Sequence, residues 1–123
     1  MSTHQVKHYA IVNTTASFDS LKGKESLDAA LILASYEMPV SLFFIGDGVY
    51  QTLTSQNAET IKAKDYIATF KALGFYDIDD IYVCSESLQK RGIKEVNVLT
   101  EGQCCSNERL KAKLKQCDIV LTF

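Results

Sequence analysis

The stretch VSLFFIGDG, residues 40–48, is a continuous, mostly apolar run that ends at two glycines flanking an aspartate. Valine, phenylalanine and isoleucine in a run of this length predict a β-strand over residues 40–45, with Pro39 before it and the glycines after it. The last stretch of the chain, residues 118–123, has the same mostly apolar character. Apolar runs of this kind are typical of strands buried on both faces, as in a parallel sheet.

Three further strands are predicted from β-branched and aromatic residues, over residues 7–13, 81–84 and 96–99. A polar loop is expected at residues 14–22. Helices are predicted between the strands, because apolar residues recur there at i, i+3, i+4 and i+7. The two clearest helical faces consist of Leu27, Ala30, Leu31 and Ala34, and of Ala63, Tyr66, Ile67 and Phe70.

Two more helices complete the pattern. Gly74 is placed to end the helix before it, and Gly92 to close a short helix over residues 85–91. The last helix has an apolar side made of Leu110, Leu114 and Cys117.

Strands and helices thus alternate along the whole chain. This order predicts an α/β fold: a single doubly wound domain, residues 1–123, with a mostly parallel five-stranded sheet and helices on both faces.

Length and composition fit this fold and exclude several classes of protein. The 123 residues are 46% hydrophobic and 23% charged, with a formal net charge of -2. Such a chain can bury a core, but a mildly acidic protein is a poor binder of nucleic acid by itself. Residues 1–7 are polar, and the longest apolar run, residues 29–34, is far shorter than the ~20 residues that cross a bilayer. We therefore expect a cytoplasmic protein without a direct nucleic-acid or membrane partner.

The four cysteines form no Cys-x-x-Cys pair, and the two histidines, His4 and His8, are distant from them in sequence. We therefore expect no zinc site and no cofactor, and interpret both histidines as solvated surface residues. In a cytoplasmic protein the thiols are expected to be reduced.

Cys84 is the candidate site residue, because it is predicted to end a strand and to precede the amino end of a helix. The helix dipole at that position favours a thiolate, the form that attacks or carries sulfur. Glu86 opposes ionisation by its charge, and no Lys or Arg is adjacent in sequence. Two interpretations stay open: a reactive thiol, or a small hydrophobe buried at a strand end, which position alone favours.

The other cysteines receive structural interpretations. Cys104 and Cys105 are adjacent in a predicted loop, where a disulfide between neighbours would be strained and exposed thiols without a role are expected. Cys117 is expected to pack in the core.

Two polar clusters also have simple explanations. The Gly46-Asp47-Gly48 segment is too short for a P-loop and lacks the third glycine of a dinucleotide fingerprint, which favours a tight turn. Turn and capping roles account for the acidic cluster of Asp77, Asp79 and Asp80.

Five stretches together resemble the DsrE/DsrF family. They are residues 23–29, 43–51, 65–78, 82–92 and 117–123, and the resemblance covers nearly the whole chain. It implies the same fold and a role in sulfur relay, in which persulfide sulfur passes along carrier proteins toward 2-thiolation of the tRNA wobble uridine. The loop of residues 14–22 departs from the family, because it lacks the Pro-His-Gly pattern of close relatives. Any ligand contact through that loop is therefore in doubt.

The resemblance also implies partners, namely TusB-like and TusD-like subunits in a hetero-hexamer. The sulfur-carrying cysteine is usually assigned to the TusD-like subunit, and Cys84 falls where that cysteine would lie. The resemblance thus makes Cys84 the candidate sulfur site of a supporting, non-catalytic subunit. We expect the isolated chain to self-associate or to need partners, because one small core is not expected to hold all of its aromatic residues Phe43, Phe44, Tyr50, Phe75 and Tyr76.

Two alternative functions stay open. The same architecture serves as a DsrF-like subunit of sulfur-oxidation complexes, and genes for a reverse sulfite reductase nearby would favour that role. The second alternative is a small-ligand or nucleotide-binding domain that uses the turn at residues 46–50, which predicts saturable nucleotide binding.

Overall fold

The computed structural model describes residues 7–15, 21–53, 78, 80–98 and 102–123. Five strands form one sheet in the order β4-β3-β2-β1-β5, and all neighbouring strands are parallel. The predicted α/β fold with a parallel five-stranded sheet is confirmed. The strands are β1 (Tyr9–Asn13), β2 (Val40–Phe44), β3 (Asp80–Cys84), β4 (Gln103–Cys105) and β5 (Ile119–Thr122).

The α-helices in the described part of the chain are α1 (Leu21–Ser35), α2 (Ser85–Lys90) and α3 (Asn107–Lys115). Two 3-10 helices, Gly46–Thr52 and Glu95–Asn97, follow β2 and α2 respectively. α1 begins at Leu21, so the last two residues of the loop predicted at residues 14–22 are helical instead. The predicted helix over residues 63–70 and its end at Gly74 lie outside the described residues.

The direction of the chain through the sheet places helices on both faces. It steps from β1 to β2, β3 and β4 in one direction, and α3 then carries it back to β5 beside β1. A right-handed crossover in the reverse direction lies on the opposite face of the sheet. One face is therefore covered by α1 and α2, and the other by α3.

The hydrophobic core is divided by the sheet into two clusters. Alternate strand residues on one face, such as Ile11 and Leu42, pack with Leu27 of α1 and Leu88 of α2. The predicted apolar face of α1 is confirmed, since Ala30 is buried and Leu31 and Ala34 pack against this cluster. The opposite cluster, which we call the α3-side cluster, consists of Ala10, Val12, Phe43, Tyr82, Cys84, Cys105 and Leu110.

The prediction of a strand at residues 96–99 is wrong. Residues 95–97 form a 3-10 helix, Val98 makes only an isolated antiparallel bridge with Leu53, and the fourth strand is Gln103–Cys105. The apolar residues of the 96–99 segment gave the strand signal, but β3 pairs instead with the segment that directly precedes α3. Cys104 and Cys105 consequently lie in a strand and not in an exposed loop.

The expectation that the last strand is buried on both faces is also wrong. β5 is an edge strand, and Val120 and Leu121 are exposed. The central strand β2 is buried throughout, and Phe43 and Phe44 are both fully buried there. These two residues therefore contribute nothing to an exposed aromatic patch. Tyr50 is half-buried, and Phe75 and Tyr76 lie outside the described residues.

Candidate functional site

The carboxyl ends of β1, β2 and β3 meet at one edge of the sheet, where parallel α/β proteins place their ligands and reactive groups. Asn13 ends β1, the 3-10 helix Gly46–Thr52 follows β2, and Cys84 ends β3. The sequence predicted Cys84 at this position, between a strand and a helix, and the structure confirms the placement.

The Cys84 side chain is held by hydrogen bonds on two sides. Cys84 is the N-cap residue of α2, and the backbone N–H of Ser87 donates to Sγ of Cys84 at 3.4 Å. The thiol itself donates to Oδ1 of Asn107 at 3.0 Å. Cys84 is only 2% exposed. The thiol is thus buried, and its proton has a fixed acceptor.

Glu86 influences the thiol through Asn107. The Nδ2 group of Asn107 donates to the Glu86 carboxylate. A carboxylate accepts hydrogen bonds and does not donate them, so this contact orients the amide and leaves its oxygen facing the thiol of Cys84. Glu86 thus contacts Cys84 indirectly, through the side chain of Asn107.

Asn107 was not predicted as a site residue. Its neighbour Ser106 caps α3, since Ser106 Oγ accepts from the N–H of Arg109 at 3.3 Å. A serine directly before a polar first turn is a typical N-cap residue and predicts the start of a helix. That signal would have placed Asn107 in the first turn of α3, but only the packing of α3 beside β3 brings it to Cys84.

The turn after β2 is connected to α2 by polar contacts. The N–H of Gly46 donates to Ser87 Oγ at 2.9 Å, and Arg91 Nη2 lies 2.8 Å from Oδ1 of Asp47. Arg91 also donates from Nη1 to the Ser87 carbonyl at 3.1 Å. These contacts fix the start of the 3-10 helix against the helix that Cys84 caps.

Gly48 is required by a close approach of two backbones. A Cβ atom at this position would lie 1.9 Å from the carbonyl oxygen of Asn13. The N–H of Gly48 donates to Ile45, and that of Gly46 donates to Ser87. Both amides are therefore used within the protein, which disfavours a phosphate site at residues 46–50. The segment forms a 3-10 helix and not the predicted tight turn, and its Val49 is fully buried.

A buried polar pair at the end of β1 was also missed by the sequence analysis. Asn13 Nδ2 donates to the Phe43 carbonyl at 3.2 Å, and the Ser26 hydroxyl donates to Asn13 Oδ1. Both side chains are buried. Buried polar groups with satisfied hydrogen bonds fix local geometry, so this pair holds α1 against the edge of the sheet that carries the site.

Comparison with known proteins identifies a family and a relative that are similar to this chain. The family model described as the DsrE/DsrF-like family matches residues 7–123. The chain belongs to the DsrE/DsrF-like family. A curated relative named "Protein TusC homolog", from Aliivibrio fischeri (strain ATCC 700601 / ES114), is 42% identical over 109 residues, covering 89% of this chain and 92% of the relative.

A solved structure supports the fold of this DsrE/DsrF-like chain. The crystal structure of the ychN protein from E. coli superposes with a TM-score of 0.76, covering 95% of this chain and 99% of the other. Sequence identity between the two is 22%, so the likeness concerns the fold alone.

Cys104 and Cys105 of this DsrE/DsrF-like chain are more buried than expected, and Cys117 is less buried than expected. Cys105 is 3% exposed and belongs to the α3-side cluster, whereas Cys104 is half-buried against the opposite cluster. The prediction that both are exposed loop thiols is wrong, because β4 pairs with β3. Cys117 is half-buried against the α3-side cluster, and its thiol donates to the Lys113 carbonyl at 3.6 Å. Its predicted packing is therefore confirmed in part.

Burial and neighbouring charges raise the pKa of these thiols. Desolvation, followed by the charge of Glu95, raises the pKa of Cys104 to about 11 from 9.0. Desolvation also raises the pKa of Cys105, although Arg109 and Lys113 oppose it. For Cys117, desolvation and the charge of Asp118 raise the pKa. These thiols are therefore protonated near neutral pH.

His8 is not the solvated histidine that the sequence suggested. Its ring Nε2 lies 2.8 Å from Ser41 Oγ, and its backbone N–H donates to Asp118 Oδ2 at 2.8 Å. His8 is half-buried and connects the start of β1 to its neighbours. Asp80 lies in β3 and is exposed, while His4, Asp77 and Asp79 lie outside the described residues.

Within the described ranges, no group of three or more His, Cys, Asp and Glu side chains is arranged to hold a metal ion. The described helices also include none that is long and apolar enough to cross a membrane.

Proposed function

We propose that this chain is a supporting subunit of a sulfur-relay complex that serves 2-thiolation of the tRNA wobble uridine. The observation that carries the proposal is the 42% identity with a protein named as a TusC homolog over almost the full length of both chains. The role in tRNA thiolation comes from the resemblance to the sulfur-relay members of the DsrE/DsrF family. The chain would act in the cytoplasm as one domain, together with TusB-like and TusD-like subunits in a hetero-hexamer.

The geometry of Cys84 supports a supporting role for this subunit. A thiol that carries sulfur must be reachable and partly ionised, because the thiolate is the nucleophile. Cys84 is only 2% exposed, and its thiol donates a hydrogen bond to Asn107. This burial opposes sulfur transfer through Cys84 in the isolated chain. The TusD-like subunit would therefore supply the essential thiol.

The test is reconstitution of the relay with the neighbouring subunits. Co-purification with TusB-like and TusD-like subunits, followed by native mass determination, is expected to give a hetero-hexamer. The C84S variant is expected to assemble and to keep most sulfur transfer, and C117S serves as the matched cysteine control. A C84S complex that assembles but loses all transfer would place Cys84 in the catalytic line. A chain that stays monomeric beside both subunits would refute membership of the complex.

A further inference from the structure

A second buried thiol lies directly beside Cys84. In the parallel pairing of β3 with β4, Cys84 is the register partner of Cys105. Neighbouring strands are about 4.8 Å apart, and disulfides join residues whose Cα atoms are roughly 4.4–6.8 Å apart. The backbone therefore already places these two residues within bonding range.

Both side chains also lie on the same face of the sheet. Cys84 and Cys105 belong to the α3-side cluster, whereas Cys104, one residue earlier in β4, packs against the opposite cluster. Side chains of successive strand residues point to opposite faces. The register and the facing direction together select Cys105, and not Cys104, as the partner of Cys84.

We propose that Cys84 and Cys105 form an intramolecular disulfide when the protein meets a small hydroperoxide such as hydrogen peroxide. The pair is then an oxidisable modification site at the carboxyl ends of two adjacent strands. The disulfide would replace the hydrogen bonds that the two thiols donate in the reduced state. Cys84 donates to Asn107 at 3.0 Å, and Cys105 donates to the Gln103 carbonyl at 3.6 Å.

The oxidation balances in two steps. Cys105 gives up its proton, its thiolate attacks one peroxide oxygen, the O–O bond breaks, and Cys105 becomes a sulfenic acid. The hydroxide that leaves takes up the Cys105 proton and forms the first water. The Cys84 sulfur then attacks the Cys105 sulfur, the S–O bond breaks, and the second hydroxide takes up the Cys84 proton. In total, two thiols lose two hydrogen atoms and one peroxide is reduced to two waters.

We assign the first attack to Cys105. Burial raises its pKa, so only a small ionised fraction attacks, although Arg109 and Lys113 of α3 oppose part of that rise. Both thiols are almost completely buried, so even a molecule as small as peroxide must reach them through movements of the surrounding side chains. We therefore expect slow but selective oxidation.

The disulfide would remove both thiols from any sulfur transfer. This consequence rests on the proposed function, but the disulfide itself does not, because it is measured on the isolated chain. Failure of the disulfide test would leave assembly with the partner subunits untouched, and the two outcomes are therefore distinguishable.

The experiment exposes the full native chain to hydrogen peroxide, blocks the remaining thiols under denaturing conditions, and measures the intact mass. The expected product has lost two hydrogen atoms and carries two blocked thiols where the reduced chain carries four. Proteolysis should then link the peptide of Cys84 to the peptide that contains Cys104 and Cys105. Circular dichroism verifies that each variant is folded.

Matched variants assign the bond. C84S and C105S are expected to abolish the linked product, whereas C104S and C117S retain it. Loss of the link in C104S with retention in C105S would overturn the assignment. The proposal is also refuted if the folded wild-type chain forms only higher oxides or intermolecular products under conditions where the denatured chain closes a disulfide. If C105S fails to fold, retention of the link in folded C104S still assigns the bond to Cys105, and its loss there overturns the assignment.

Discussion

The thiol of Cys84 donates a hydrogen bond to Oδ1 of Asn107 at 3.0 Å, which joins the end of β3 to the first turn of α3. The acceptor is itself oriented by Glu86. A site that sequence position alone would describe as a thiol at a helix N-terminus is thus a buried thiol with a fixed hydrogen-bond acceptor. The strength of this arrangement is open to direct measurement.

Asn107→Ala is expected to increase the alkylation rate of Cys84 roughly two- to tenfold, the range that corresponds to the loss of one hydrogen bond. The variant removes the acceptor that holds the thiol proton and also uncovers the sulfur. The rate is measured with iodoacetamide by peptide mass spectrometry, using K111A on the exposed side of α3 as the control. An unchanged rate in Asn107→Ala would show that the hydrogen bond does not govern reactivity.

Gly48→Ala is expected to destabilise the protein by at least about 2 kcal/mol, because the new Cβ collides with the Asn13 backbone and not with a movable side chain. Gly92→Ala is the matched control. Gly92 has a φ of +67° and open space around it, so only the conformational cost of about 1 kcal/mol applies. Urea unfolding of both variants measures the difference. Equal losses of stability would contradict the close approach of the two backbones.

The free energy of unfolding is expected to fall as the pH rises from about 9 to about 11, the interval between the usual and the folded-state pKa of Cys104. Below this interval both states hold the proton. Within it the unfolded chain loses the proton first, which favours unfolding. C104A is expected to reduce the dependence of the free energy of unfolding on pH in this interval. Glu95→Gln is expected to lower the pKa of Cys104 and thereby to reduce the same dependence.

Unfolding curves at several pH values measure these slopes, and Glu108→Gln is the control carboxylate. Cys105, Cys117 and Tyr82 also have raised pKa values and contribute slopes of the same sign. The prediction therefore concerns the difference between each variant and the wild type. Parallel curves for C104A and wild type would contradict it.

Arg91→Ala is expected to lower stability by no more than about 1 kcal/mol, because the Asp47 partner is 60% exposed and water screens the ion pair. The loss should shrink further at high salt. K90A, the preceding residue in the last turn of α2, is the control, and chemical denaturation at low and high salt is the measurement. A loss of several kcal/mol that is independent of salt would indicate that packing of the Arg91 side chain dominates over its charge.

The sequence by itself determined the alternation of strands and helices. The apolar runs at β2 and β3, the helical spacing of Leu27, Ala30, Leu31 and Ala34, and the glycine after α2 are local signals. The hydrophobic period of an element and the residues that end it are set by residues close together in sequence. The ends of these elements were therefore predictable to within one or two positions. The place of Cys84 between a strand and a helix followed from the same local patterns.

Only the tertiary structure decided which segment became the fourth strand and what each thiol contacts. A strand of three residues carries too little pattern to compete with the apolar residues 96–99, and it forms because β3 offers it an edge to pair with. The exposure of β5 follows from its place at the end of the sheet, which its apolar sequence does not encode. The contact between Cys84 and Asn107, and the alignment of Cys84 with Cys105, join residues more than twenty positions apart. Their distances are fixed by strand order and helix packing, which no local pattern reports.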